Sequence, residues 1–251
     1  MEEHREYGWI RDLPDFRDYY AGLPFAPVSL PEKFDLRQYF PTPFDQGKLG
    51  SCTAQAIAGA CDYEWRQHKK GASFVPSRLY IYYNERWIEG TINQDSGAMI
   101  RDGFKSLNLY GFCNETLWPY VVARFKEKPS QPCYDDGAKR KTNYYARVNQ
   151  DRNSLCSILT NNQPIVFGFS VYESFTTAQV RKTGYVPMPR SNERQLGGHA
   201  VLMVGYDNAK QCYIFRNSYG TSWGEKGYGY LPFSFVENRN LADDFWILKK
   251  L

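Results

Sequence analysis

The chain has 251 residues, with 31 basic and 27 acidic side chains and a formal charge of 31 − 27 = +4. That length can bury a core without a metal or disulfide staple. The basic residues are scattered, Lys139-Arg140-Lys141 being the longest run, which excludes a nucleic-acid footprint.

Residues 1–29 read as an extended arm. Prolines at 14, 24 and 27 forbid a long helix, and Tyr7, Trp9, Phe16, Tyr19, Tyr20 and Phe25 are expected to press the arm onto the body. The charged start, MEEHREYGWIRD, lacks the basic and then apolar pattern of a secretory signal, and no apolar run approaches the roughly 20 residues that span a bilayer. A cytoplasmic or packaged protein, for instance in a virion, is expected rather than a secreted or membrane one.

Residues 30–125 read as a mainly helical lobe. Ala54, Ile57, Ala58, Cys61 and Trp65 recur at helical spacing, with Lys69, Lys70 and Gly71 suited to close the helix, so Cys52 stands at its start and Cys61 in its packed stripe. A second helical pattern runs near Ser96 to Leu109. Residues 126–251 read as a mainly β lobe: a polar, Pro-containing linker over 126–142, a short helix near Asp151 to Leu159, then the strand-like runs PIVFGFSV, HAVLMVGYD, QCYIFRNS and GYGYLPF. The fold class is α+β.

Six cysteines, at 52, 61, 113, 133, 156 and 212, form no C-x-x-C pair, so no metal site or cofactor is expected. With Cys52 set apart the other five cannot all pair, which suits a reducing compartment. A thiol attacks a carbonyl as its thiolate, and a helix N-terminus offers N–H groups and a positive dipole end that favour that anion. Gly47 and Gly50 let the chain turn into the helix at Cys52. His4 lies in the terminus and His68 on the charged end of the helix, whereas His199 follows Gly197-Gly198 and opens an apolar run. Asn217, in RNSYGTSWGEKGYGY, is placed to hold one imidazole nitrogen and set its tautomer.

QGKLGSC, GGHAVLMVGY and NSYGTSWGEKGYGY, in that order, resemble the motifs of the papain-like cysteine peptidases, and LPEKFDLR resembles the start of a mature enzyme. The 199 − 52 = 147 residues from Cys52 to His199 suit that family. The resemblance implies a two-lobed fold with a cleft between the lobes, Cys52 as nucleophile, His199 as base and acid, Asn217 as its orienter, and Gln46 as oxyanion donor beside the Cys52 N–H. Tyr219 and Trp223 would shield the histidine pair. Polypeptides would be the substrates, bound along Gly97, with Ala98, Met99, Ala200 and Trp223 at the cleft and an apolar side chain in the pocket beside the scissile residue. The short form of the motifs is similar to that of microbial or viral members, and a monomer is expected. No His-His insertion resembles the carboxydipeptidase loop, so endopeptidase action is expected, with acyl transfer to an amine and an inactive binding protein as alternatives.

The chain departs from the family in having Thr53 where tryptophan is usual, Leu49 in place of a disulfide cysteine, Tyr219 for a tryptophan, and Gly198 before the histidine. The arm has two readings: a zymogen-like segment that hinders access to Cys52, or a brace on the back of the β lobe.

Overall fold

The computed structural model describes residues 6–22, 29–68 and 74–249. His4, Pro24, Phe25 and Pro27, and Lys69, Lys70 and Gly71, which were expected to close the helix, lie outside them. Between the two lobes runs α1 (Cys52–His68), and every residue from Cys52 to Glu64 is buried. Its alanines and Gly59 allow this close approach: a Cβ on Gly59 would stand 3.2 Å from Leu202 and 3.3 Å from the Arg216 guanidinium across the lobe boundary. A helix buried on all faces needs no polar stripe.

Two further helices back it. The helix α2 (Arg78–Glu89), capped by the Ser77 hydroxyl on the Tyr80 N–H and closed by Gly90 in the left-handed conformation, was not legible in the sequence. Its run LYIYYNER is buried throughout, so the polar face that betrays an amphipathic helix is missing. The second expected helix, α3 (Ile100–Tyr110), starts later than Ser96 because Ala98–Met99 form a short strand, β3, before it. Residues 126–142 are more than a linker. They contain α4 (Gln131–Gly137), with proline in the first turn, where its missing N–H costs nothing.

The β lobe is a seven-stranded sheet. Strands β4 (Tyr144–Arg147), β9 (Ala242–Lys249), β5 (Ile165–Tyr172), β6 (Gln195–Asp207), β7 (Cys212–Arg216) and β8 (Tyr228–Pro232) lie in that order, all neighbours antiparallel, and β2 (Lys33–Asp35) pairs with the end of β6. Helix α5 (Arg152–Thr160), capped by Asp151, lies against β5 and β6; α6 (Ala178–Thr183) and α7 (Phe233–Val236) are short. The four expected strand runs are present, whereas β4 and β9 escaped notice because each is short of apolar residues at one end. Phe167, Phe169, Phe215 and Phe245 fill the core of this lobe.

The described part of the arm, residues 6–22, contains no helix, and only some of its expected aromatic anchors meet the body. Phe16 is 98% exposed, and Tyr19 and Tyr20 are exposed too. Trp9, one of the expected anchors, is buried in the two-residue strand β1 (Trp9–Ile10), and β1 pairs in parallel with β3. Further along, Asp12 and Asp18 dock on Arg147 at 2.9 and 2.7 Å, and Asp18 also meets Arg101 at 2.6 Å. All six cysteines are free and buried. Among the described residues no helix is long and apolar enough to cross a membrane, and no group of side chains could hold a metal ion.

Candidate active site

Cys52 is the first residue of α1, so its N–H and the others of the first turn have no partner inside the helix. Strand β6 brings His199 to the same cleft from the other lobe, and the turn after β7 brings Asn217 beside it. His199 Nε2 lies 2.8 Å from Asn217 Oδ1. The Ser218 N–H also donates to that oxygen, at 2.8 Å, which identifies it as the amide oxygen because a backbone N–H can only donate. His199 must therefore carry its proton on Nε2, which assigns Nδ1 as the nitrogen able to take a proton.

The imidazole is walled by aromatics. Tyr219 stacks on it at 4.9 Å and 28°, Phe169 meets it edge-on at 5.6 Å, and Phe175 lies at 6.1 Å. Trp223 packs behind Tyr219 and Phe175 rather than on the histidine. Phe169 and Phe175 have no distinguishing sequence signal: the first lies in a strand-like run, where a phenylalanine signals only core, and the second in a short turn after β5.

Gln46 is fully buried, and its amide is oriented from two sides. Ser218 Oγ donates to Oε1 at 2.6 Å, while Nε2 donates to the Leu49 carbonyl at 2.9 Å and faces the Glu6 carbonyl oxygen at 3.5 Å. Ser218 thus touches both Asn217 and Gln46; its place directly after Asn217 was its one sequence signal. Thr53 donates to the buried Glu85 at 2.6 Å. Burial pushes the Glu85 carboxyl well above the usual range, against the smaller lowering by the Thr53 hydrogen bond.

The arm lies across this constellation. The Gly8 carbonyl accepts from the Ala98 N–H at 2.8 Å, and backbone N–H groups of Ala200, Gly8 and Thr53 reach the Cys52 thiol. What faces the sulfur is therefore an arm N–H, whereas nucleophilic attack requires a carbonyl carbon. Burial is the main cause that pushes the thiol up to about 12, against the smaller lowering by those N–H groups. Tyr7 stands edge-on to His199 at 6.5 Å.

Glycines make the slot. Gly97 has φ +72°, and a Cβ there would stand 2.0 Å from the Gly8 carbonyl oxygen. A Cβ on Gly198 would meet the Trp9 carbonyl oxygen at 2.5 Å and its ring at 2.7 Å, so the departure from an acidic or amide residue before His199 makes room for the arm. Ala98 is buried in β3, Met99 is half-buried with its N–H on Glu89 at 2.7 Å, and Ala200 is buried opposite Gly168.

Residues 30–242 match the profile of the papain family cysteine proteases. Xylellain, a cysteine protease of Xylella fastidiosa, has the same fold at a TM-score of 0.93, with 42% identity over 100% of this chain and 99% of that one. An uncharacterized peptidase C1-like protein of Acanthamoeba polyphaga mimivirus is 40% identical, with 98% of this chain and 88% of that protein aligned. A cathepsin L-like proteinase of Fasciola hepatica is 24% identical over 82% of this chain and 62% of its own length. These relatives at 42% and 40% identity come from a bacterium and a virus. With the profile covering most of the chain and relatives of this similarity at near-complete coverage, the chain belongs to the papain family of cysteine proteases.

Proposed function

We propose that this cysteine peptidase is an endopeptidase in which Cys52, His199, Asn217 and Gln46 carry the reaction and residues 6–22 are a built-in block on the cleft. The observation that supports the roles best is the Asn217 amide oxygen shared by the Ser218 and His199 N–H groups, which turns Nδ1 into the base. His199 takes the thiol proton through Nδ1, and the Cys52 sulfur attacks the peptide carbonyl carbon. The oxyanion that forms is met by the Cys52 N–H and the second N–H of Gln46 Nε2, the first being held by Leu49. His199 then gives its proton to the departing amine, leaving a thioester, and water attacks that ester with His199 again as base.

The Glu6 carbonyl oxygen, facing Gln46 Nε2, stands in for a substrate carbonyl oxygen, while the chain leaves the cleft toward Asp12 in the other direction. A cleft entered and left by a continuous chain suits endopeptidase action. The family supplies polypeptide substrates; amine acylation or an inactive binding role has no observation in its favour. Cys52→Ala, which exchanges one small residue for another at a helix start, is expected to abolish peptide hydrolysis with the fold intact. It is also expected to remove single-thiol labelling by an epoxide or iodoacetamide probe from the activated protein. Hydrolysis by Cys52→Ala at the wild-type rate, in a preparation free of other peptidases, would end the assignment.

A further inference from the structure

The arm also reveals the chemistry of the pocket beside the nucleophile. Trp9 follows the Gly8 unit that lies on Cys52, and only 7% of it is exposed. Its ring lies against Gly168 and Gly198, where a Cβ would intrude to 2.0 and 2.7 Å, with Ala98 opposite in register. These walls are apolar, but the floor is not. Trp9 Nε1 donates to Asp244 Oδ2 at 3.1 Å.

Asp244 is aimed there by a break in the sheet. In β9, Trp246 pairs with Val166 and Asp243 with Gly168, so Asp244 and Phe245 share the place opposite Phe167, and Asp244 has φ +57°. Such a bulge leaves one residue unpaired and turns its side chain out of the strand's alternation, and a non-glycine residue held in this conformation beside a cleft is a recurrent mark of function. Arg147 binds Oδ1 at 3.1 Å. Oδ2 receives two donors and both come from the arm: Trp9 Nε1 and the Asp12 N–H at 2.8 Å. Departure of the arm leaves Arg147 on Oδ1 and an acceptor at Oδ2, at the end of a slot wide enough for an indole.

We infer that Asp244 is a specificity-determining residue that makes this pocket select a flat aromatic side chain bearing an N–H donor, tryptophan above phenylalanine or leucine, at the residue preceding the attacked carbonyl's. The inference rests on the reading of Cys52 as nucleophile. A guanidinium is the weaker occupant, because the arm takes Asp12 and Asp18 with it and leaves Arg101 and Arg147 around the vacated site.

The test uses the full chain with Gly8→Ala, which unseats the arm, and short peptide amides carrying tryptophan, its N–H-free isostere benzothienylalanine, phenylalanine or arginine at that residue. Tryptophan is expected to exceed benzothienylalanine in kcat/KM by about 10-fold, the worth of one charge-assisted hydrogen bond. Asp244→Asn should erase that ratio: Arg147 holds the amide oxygen, so the amide N–H₂ is turned on the indole N–H, donor against donor. Equal rates for the two isosteres, a ratio unchanged by Asp244→Asn, or arginine above tryptophan overturns the inference while peptide hydrolysis itself upholds the proposed function. If no peptide is hydrolysed, the proposed function fails and the pocket is read through the arm alone. Trp9→Phe should then speed alkylation of Cys52 about 10-fold in the otherwise native chain and not in the Asp244→Asn chain, and an equal effect in both overturns the inference.

Discussion

Gly8→Ala isolates what the arm does, because the methyl group it adds has nowhere to go. A Cβ on Gly8 would stand 1.7 Å from the Gly50 carbonyl oxygen, 2.5 Å from its carbon and 3.0 Å from its Cα, all backbone. Gly50 cannot retreat easily, since its N–H is held by Asp95 at 3.0 Å and it leads two residues on into Cys52 and α1. The arm must move instead, and the bond from the Ala98 N–H to the Gly8 carbonyl is lost with it. Overpacking of this kind costs about 1–3 kcal/mol, and the hydrogen bond adds about 1 kcal/mol. At roughly 1.4 kcal/mol per tenfold, a sum of about 2–4 kcal/mol shifts the ratio of open to closed arm by about 30- to 1,000-fold. The assay is the rate of alkylation of Cys52 by iodoacetamide, read as a single mass adduct absent from Cys52→Ala, with circular dichroism to establish that both chains are folded. An acceleration in that range is expected, with the thermal midpoint little changed because the body of both lobes is untouched. A rate within twofold of wild type in a folded chain would mean that the arm does not limit access to the thiol, and that it braces the body.

Gln46→Ala is expected to lower kcat by about 10- to 1,000-fold with little change in KM, because its amide serves the tetrahedral intermediate; Ser218→Ala, which only frees that amide to turn, should lose less, and an unchanged kcat in both would remove Gln46 from the reaction. Docking of the arm should weaken as pH rises from about 4 to about 7. Burial, and next the charge of Asp244, raise Asp12 from 3.8 to about 7 in the docked arm, although Arg147 and the Trp246 and Arg101 N–H groups pull the other way. A carboxyl whose pKa is raised on docking takes up a proton there, so its contribution is complete below the free value and is lost as pH climbs through the docked one. The anisotropy of a dye on Phe16→Cys, at an exposed arm position, should fall across that window and do so less in Asp12→Asn; a flat profile in the parent would contradict the linkage.

The chain's local chemistry was enough to read the α+β class, the placement of Cys52 at a helix start, the strand carrying His199 and the turn carrying Asn217. Each of these depends on short-range causes: small residues at helical spacing, apolar runs of strand length, and glycines between them. The helix α2 was hidden because its buried tyrosines and isoleucine show no periodicity, and α4 because its proline and charges look like a loop until the first turn is seen to tolerate them. What only the tertiary structure decided lies at long range. The arm's aromatics looked like its anchors, yet Phe16, Tyr19 and Tyr20 face solvent, while Asp12 and Asp18 find arginines that are 135 and 129 residues away at Arg147. Asp244 carries no signal in the sequence, and only a bulge against β5 turns it toward Trp9, 235 residues earlier. A hydrogen bond or ion pair between distant segments leaves no periodic trace in either of them, because its energy depends on where the backbone brings the two groups and on how much water is excluded when it does.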